Sequence, residues 1–314
     1  MCKTQNNPFQ FDSIIDFMLM FPNDAACKSH FAKVRWNGNT TCPDCQSKNV
    51  YTRKSGHSYV CRGCRRNFTV KTGTIFEQSN MSMQKWYLAM YFLTTNVKGI
   101  SSCQLAKKIK VTQKTAWFVL HRIRFAFAQK SFVAPANGVV ELDETYIGGK
   151  EKNKHADKKT PSTQGRCIKT KTPVFGIKSA EQGVLALVVD DVKKNTLQEI
   201  VRANVAEGAV VMTDEYGAFS GLSKDYDHQV CVHSTGEFVS VDGATTNGIE
   251  NYWSHLKRMI VGTYHQISRK HMNSYLGSQS FRYNNCKAQD WEKFTAAAFL
   301  SNGKRLTYKA LTAK

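Results

Sequence analysis

Four cysteines are spaced as metal ligands. Cys42-Pro-Asp-Cys45 and Cys61-Arg-Gly-Cys64 make a C-x2-C-x15-C-x2-C pattern. Each C-x-x-C turn brings two sulfurs to one side, and two such turns close a tetrahedron of thiolates around Zn²⁺. With four sulfur ligands no position is left for water, so the expected zinc is structural. The other cysteines, Cys2, Cys27, Cys103, Cys167, Cys231 and Cys286, are scattered. In a reducing compartment such residues are small core hydrophobes.

A second chemistry is written in acids. Asp143 follows the strand-like run VVEL, and Asp214 follows VVMT. A carboxylate at the end of a buried strand is poorly solvated, so its pKa rises or it takes a cation as partner. Two such acids on neighbouring strands repel, and a divalent cation is the usual resolution. A helix supplies the third ligand. On a wheel of about 100° per residue, Thr246–Arg258 places Ile249, Tyr252, Trp253 and Leu256 on an apolar side, continued by Met259 and Ile260. Asn247, Glu250, Ser254 and Lys257 fall on the other side. Two Mg²⁺ or Mn²⁺ ions held by Asp143, Asp214 and Glu250 activate a nucleophilic oxygen and stabilise the leaving oxygen of a phosphodiester. Taken singly, each acid reads more simply as a strand-end or turn residue, and the helix as an ordinary amphipathic one. Glu144 and Glu215 are alternative ligands, although adjacent strand residues face opposite ways. Asp190 and Asp191 form another strand-end pair, on a strand expected at the sheet edge, and rank lower.

The third chemistry is recognition of a polyanion. Lys and Arg number 44 against 24 Asp and Glu, a formal net charge of +20. That surplus repels itself unless a polyanion absorbs it, with nucleic acid first and an anionic membrane surface second. Residues 99–124, GISSCQLAKKIKVTQKTAWFVLHRIR, read as a helix-turn-helix. Ser101 or Ser102 caps the first helix, Val111 sits in the turn and Thr112 caps the second. Gln113, Lys114 and Thr115 then begin the recognition helix and meet base edges, with Arg122 flanking on phosphate. An ordinary helical hairpin is the plainer alternative. Lys48, Arg53, Lys54, Arg62, Arg65 and Arg66 surround the cysteines, and suit phosphates or a protein partner.

These sites need elements to carry them. Residues 8–36 read as helical, 37–78 as a zinc ribbon, 79–135 as the helix-turn-helix region and 136–314 as the catalytic domain. From about 138 three strand runs are followed by a helix, a further strand and then helices, an α/β order with a mixed sheet. The basic segment 149–171 lacks periodicity and reads as a long loop, either near a phosphate backbone or simply solvated. No run of 18 apolar residues is present, so no membrane span is expected. The N-terminus makes a poor signal peptide. A cytoplasmic, nucleoid-associated protein is expected.

In order, CPDC and CRGC, NFTVKTGTIF, Trp86, GISSCQLAKKIKVTQKTAW, VELDETYIGGK, TDEY, TNGIENYWSHLKR, GTYHQISRKH and FRYN resemble a bacterial insertion-sequence transposase of the DDE class, in the zinc-ribbon group related to the Merlin elements. The resemblance covers nearly the whole chain. It implies a ribonuclease-H-like catalytic domain behind a zinc ribbon and a helix-turn-helix. It implies metal-dependent DNA cleavage at element ends, then transfer of the freed 3′-hydroxyl into target DNA. The implied partners are double-stranded DNA, as terminal inverted repeats and target, and further copies of the chain; no membrane is implied. Asp143 and Asp214 match the first two catalytic acids. Asn247 matches the group's third position with Lys257 beyond it, while Glu250 fits the spacing of the wider superfamily. Lys257, with Arg258, grips DNA phosphate rather than metal, because an ammonium has no lone pair to donate. His233 matches a family histidine near the site. Thr245 stands where relatives often carry His, and Ser278 and Gln279 where they often carry Glu-Phe. The rival readings are a zinc-ribbon regulator whose C-terminal domain is catalytically idle, and a nuclease of the same fold without strand transfer.

Overall fold

The computed structural model describes residues 9–54, 56–129, 131–148, 154–161, 167–231 and 245–313. In chain order the elements are α1 (Ile14–Met20), α2 (Asp24–Trp36), β1 (Val50–Thr52), β2 (Ser58–Cys61), β3 (Asn67–Thr69), α3 (Met83–Thr95), α4 (Ser102–Ile109), α5 (Gln113–Phe127), β4 (Val139–Gly148), β5 (Lys171–Ser179), β6 (Gly183–Val188), α6 (Lys194–Asn204), β7 (Val210–Thr213), β8 (Asp227–Val230), α7 (Asn247–Met259), α8 (Arg269–Asn284), α9 (Asp290–Leu300) and α10 (Tyr308–Thr312). Contacts divide them into two units, Met1–Phe127 with Lys287–Lys314, and Ala128–Cys286.

The first unit joins helices to a small antiparallel ribbon of order β1-β2-β3. Its helices start where the sequence offers caps. The side chain of Asn23 accepts from the Ala26 amide, and those of Ser82 and Ser101 from the amides of Lys85 and Gln104. Gln104 completes a capping box at α4, and the Thr112 hydroxyl accepts from the Thr115 amide at the start of α5. Lys110 lies between them at φ 50°, turning the chain from one helix to the next. The core is aromatic. The ring of Phe294, on α9, lies 5.2 Å from Phe17, 5.7 Å from Phe21 and 5.0 Å from Tyr87. These contacts assign residues 287–314 to this unit, whereas the sequence division carried the catalytic domain through to 314. An aromatic cluster contributes about 0.5–1.5 kcal/mol per ring pair beyond area burial, and α9 supplies its shared ring.

The second unit is a five-stranded mixed sheet of order β6-β5-β4-β7-β8. β4 pairs antiparallel with β5, and β5 with β6; β7 runs parallel to β4, and β8 parallel to β7. A mixed sheet flanked by helices is the architecture expected of a ribonuclease-H-like domain. The pleat of β4 sorts its side chains. Val140 and Leu142 join Val211, with Leu197 and Val201 of α6, on one face. On the other, Ile147 joins Val174 and Val184 beneath Ile249, Tyr252, Trp253, Leu256 and Met259 of α7 and Leu276 of α8. The apolar side read for α7 is buried, and Asn247, Glu250, Ser254 and Lys257 are exposed. β6 is an edge strand, as read. Between Gly148 and Lys171 a single 3₁₀ turn, Ala156–Lys158, is described. His233 lies outside the described residues. Among those described, no helix is long and apolar enough to cross a membrane.

Candidate active site and zinc site

The ribbon gathers its four cysteines through local geometry alone. The ligand atoms of Cys42, Cys45, Cys61 and Cys64 all lie within 4.8 Å of one another. Cys42 Sγ is 3.7 Å from Cys64 Sγ, and Cys45 Sγ 3.5 Å from Cys61 Sγ. Zinc–sulfur bonds of about 2.3 Å require sulfurs about 3.8 Å apart in a tetrahedron, so the set fits Zn²⁺. The backbone N–H of Cys64 points at Cys61 Sγ from 3.5 Å. That donor favours the thiolate, and the Cys61 thiol is held down at about 6, while the sulfurs of Cys45, Cys61 and Cys42 help push Cys64 up to about 12. A ready thiolate is what a metal ligand must be. The chain thus carries a site for structural zinc.

The acids are assembled differently, by sheet register and one helix. Val139, Val140 and Glu141 of β4 pair with Val210, Val211 and Met212 of β7. Two further steps along that parallel register bring Asp143 alongside Asp214, just past the end of β7. Trp253 of α7 donates its indole N–H to Asp143 Oδ2 at 2.9 Å, and the Glu144 amide donates to Oδ1 at 2.8 Å. Those donors fix the carboxylate's orientation. Burial nevertheless pushes the Asp143 carboxyl up to about 6, with Asp214 and then Glu250 adding to the rise by repulsion. Asp214 Oδ1 accepts the Tyr216 amide at 3.1 Å, and Glu250 Oε1 accepts the Thr246 hydroxyl at 3.1 Å. Asp143, Asp214 and Glu250 therefore share one electrostatic neighbourhood. Among the described residues, however, the cysteines are the one set of three or more potential ligands within the 4.8 Å span; the acids stand farther apart.

Asp190 and Asp191 meet partners of their own. Asp190 meets Arg269 at 3.0 Å. Asp191 accepts from the Lys193 amide and the Thr196 hydroxyl at the start of α6. Glu144 follows Asp143 in the strand, so it projects from the other face. Asn247 opens α7, its amide donating to the Thr245 hydroxyl at 3.1 Å. Lys257 and Arg258 are exposed in the last turn. Ser278 and Gln279 are buried, and both accept from the Arg282 guanidinium, at 2.7 and 2.9 Å.

Two residues that the spacing did not single out bear on this site. Trp253 was read only as apolar, but its indole nitrogen touches the acid. Glu141 sits two residues before Asp143 and so on the same face of β4. Its Oε2 accepts the Ile249 amide of α7 at 2.7 Å, and its Oε1 takes the Lys178 ammonium from the facing position on β5. The sequence signal was available in retrospect: Glu-x-Asp in a strand is one face, and two glycines mark a close approach. A Cβ on Gly176, opposite Asp143, would overlap Trp253, and one on Gly248 would overlap Lys178 and Glu141.

At the helix-turn-helix, Gln113, Lys114 and Thr115 are exposed at the start of α5. Gln113 donates to the Ser102 hydroxyl at 2.8 Å, tying α5 to α4. The Lys114 ammonium lies 5.2 Å over the ring of Tyr308 from α10, a neighbour that only the tertiary fold supplies. Arg122 requires a correction. Only 4% exposed, it donates to the Glu77 carbonyl at 2.6 Å and lies 5.3 Å from the ring centroids of both Trp86 and Phe118. Burial pulls its guanidinium down to about 10. It is a core cation under α5, not a phosphate contact, because one helical turn separates it from Phe118 on the inward side.

Residues 135–284 match the ISXO2-like transposase domain, and residues 22–67 the transposase zinc-ribbon domain. A protein of Halobacterium salinarum, described as an uncharacterized protein in transposable element ISH50, is 29% identical over 280 residues, covering 83% of this chain and 91% of its own. Solved structures overlap weakly. A chain of the simian T-cell lymphotropic virus intasome in complex with PP2A regulatory subunit B56 gamma shares 11% identity over 57% of this chain and 63% of that one, with a TM-score of 0.27. The Mos1 transposase paired-end complex with the left transposon end shares 14% identity over 70% and 80%, with a TM-score of 0.21. The chain therefore carries a transposase zinc ribbon followed by an ISXO2-like transposase domain and is similar to a protein of a transposable element, which is consistent with an insertion-sequence DDE transposase.

Proposed function

We propose that this protein cuts DNA at the ends of its element and joins the freed 3′-hydroxyl to target DNA. The observation that carries the reading is geometric: the parallel register of β4 and β7 runs on to bring Asp143 alongside Asp214, and α7, which bears Glu250, is fastened to Asp143 through Trp253, with burial and then the neighbouring acids pushing Asp143 up to about 6. Acids that disturb one another in this way gain most from divalent cations held in common. Two Mg²⁺ or Mn²⁺ ions held there would activate the attacking oxygen and stabilise the leaving oxygen in phosphodiester chemistry. Asp143 and Asp214 are the first two ligands. Glu250 is the favoured third, since its charge reaches Asp143; Asn247, on the same turn, offers a weaker amide oxygen. Trp253 holds the Asp143 carboxylate in one orientation. Lys257 and Arg258, exposed on α7, take the DNA backbone.

Recognition belongs to the other unit. Gln113, Lys114 and Thr115 meet base edges of the terminal inverted repeats. Arg53, Arg62, Arg65 and Arg66 of the ribbon meet phosphates. The working form is a homo-oligomer on DNA, holding ends and target together, in the cytoplasm on the nucleoid. The test is end-labelled element DNA with Mg²⁺ or Mn²⁺. Nicked ends and joined product are expected, with cutting lost in Asp214→Asn and DNA binding retained within about twofold. Binding without cutting would support the idle regulator instead, and nicking without joining a nuclease. Normal cutting by Asp214→Asn would remove the site assignment.

A further inference from the structure

We propose that Glu141 is a positioning residue, a buried clamp that fixes the first turn of α7 on β4 and so sets where Glu250 and Asn247 stand relative to Asp143. The inference rests on the active-site reading above. α7 lacks the usual start: its N-cap residue, Thr246, makes no side-chain cap bond. The amide that an N-cap oxygen ordinarily takes is that of the third helical residue, here Ile249. Glu141 accepts it instead, at 2.7 Å, from 108 positions away in the chain. A buried amide left unpaired loses its hydrogen bond to water without replacement, so the bond has a strong preference to form.

The same carboxylate takes the Lys178 ammonium on its other oxygen. Glu141 is 7% exposed, and a buried anion needs such partners. Helix N-terminus and ammonium together offset its charge, so Glu141 is committed to α7 and β5. The closeness is built in: a Cβ at Gly248 would overlap both the Lys178 ammonium and the Glu141 carboxylate. Glycine is the residue that lets the clamp shut.

A second attachment lies one turn on, where Trp253 donates to Asp143 at 2.9 Å. Glu141 and Asp143 are two strand residues apart, about 6.8 Å. Ile249 and Trp253 are four helical residues apart, about 6.0 Å. The steps nearly match, so α7 runs alongside β4 in the same direction and is fastened at successive repeats. Glu250 follows the first fastened residue directly. Loosening Glu141 removes the acid that takes the Ile249 amide and leaves the first turn held by the packing of Ile249 and by the Tyr283 hydroxyl on the Gly248 carbonyl, so Asn247 and Glu250 are placed less sharply relative to Asp143. Groups that hydrogen-bond metal ligands directly typically matter about 10–100-fold in metal affinity or activity; Glu141 acts one step further out, through the Ile249 amide.

The experiment uses the full chain and the variants Glu141→Ala, Glu141→Gln and Lys178→Met. Four quantities are read: half-saturating Mn²⁺, the cutting rate at saturating end DNA, the DNA dissociation constant, and hydrogen exchange of the first-turn amides of α7. Glu141→Ala is expected to raise half-saturating Mn²⁺ at least about tenfold, slow cutting about 10–100-fold and speed first-turn exchange, with DNA affinity within about twofold. Glu141→Gln keeps an acceptor for the Ile249 amide but strands the ammonium, and falls between. Combining it with Lys178→Met removes that ammonium and recovers Mn²⁺ affinity. Should Glu141→Ala fail to fold, the two milder variants decide. Half-saturating Mn²⁺ unchanged in folded variants, even with a lower melting temperature, would reduce Glu141 to an ordinary stabilising contact. A wild-type chain without Mn²⁺-dependent cutting would instead sink the active-site reading on which the clamp rests.

Discussion

The zinc ribbon and the acid cluster each gather groups of a kind that can ligate cations, by opposite constructions. The ribbon draws four ligands from residues 42–64 and closes them within 4.8 Å. The acid site draws Asp143 from β4, Asp214 from the end of β7 and Glu250 from α7, leaving them coupled but apart. In the first, local turns point thiolates at one centre and a backbone amide stabilises one of them. In the second, a sheet and a helix bring two further acids toward the partly buried Asp143. A bound cation would offset the crowding of sulfurs in the first and of carboxylates in the second, but only the first has its ligand atoms already gathered around one centre. The difference predicts that deleting a ligand has opposite effects in the two places.

The largest effect belongs to the ribbon. Cys61→Ser should remove the bound zinc, measured as metal per chain, and unfold residues 37–70 while the sheet unit persists. Structural zinc in such small sites contributes on the order of 10 kcal/mol of binding, more than a short three-stranded ribbon can recover otherwise. Retention of zinc and of an unchanged ribbon would break the comparison from that side.

A smaller effect, of reversed sign, belongs to Asp143. Its carboxyl rises from 3.8 to about 6 on folding. Folding therefore favours the protonated acid, and the cost of ionisation grows as pH climbs from about 4 through 6, then levels off. Asp143→Asn escapes that cost. Without added divalent cation it should be more stable than wild type by up to about 3 kcal/mol at pH 8, with the advantage about halved at pH 5. Denaturant melts at the two pH values measure it. A variant less stable than wild type at pH 8 would show that the bonds from Trp253 and Glu144 outweigh the repulsion. Glu250→Gln should shift stability least, because that acid is exposed.

The same contrast explains what was legible in the sequence. The cysteine pattern declares its own geometry, since spacing within one short segment fixes the turns. The strand order from 138 and the apolar side of α7 were also readable, because period-2 and period-3.6 patterns are local. What sequence spacing could not carry was contact between remote segments. Arg122 looked like a flanking cation because basic residues cluster at the end of α5; only the fold shows Trp86 beneath it. Phe294 gave no sign of belonging with Phe17 and Tyr87. Glu141 was passed over beside Asp143 because its partners, Ile249 and Lys178, lie 108 and 37 positions away. The acids fall between these cases: the runs VVEL and VVMT marked Asp143 and Asp214 as strand-end candidates, but β4 continues to Gly148, so Asp143 lies mid-strand and only Asp214 follows a strand end, and the sheet register brings them alongside each other.

The most direct measurement is the position of Mn²⁺ by anomalous scattering in crystals of the zinc-loaded chain. The account predicts manganese bound by Asp143 and Asp214, with an oxygen of Glu250 or Asn247 drawn in to coordination distance, and no such peak in Asp143→Asn. Manganese seated elsewhere, or the three acids remaining apart at saturating Mn²⁺, would contradict it.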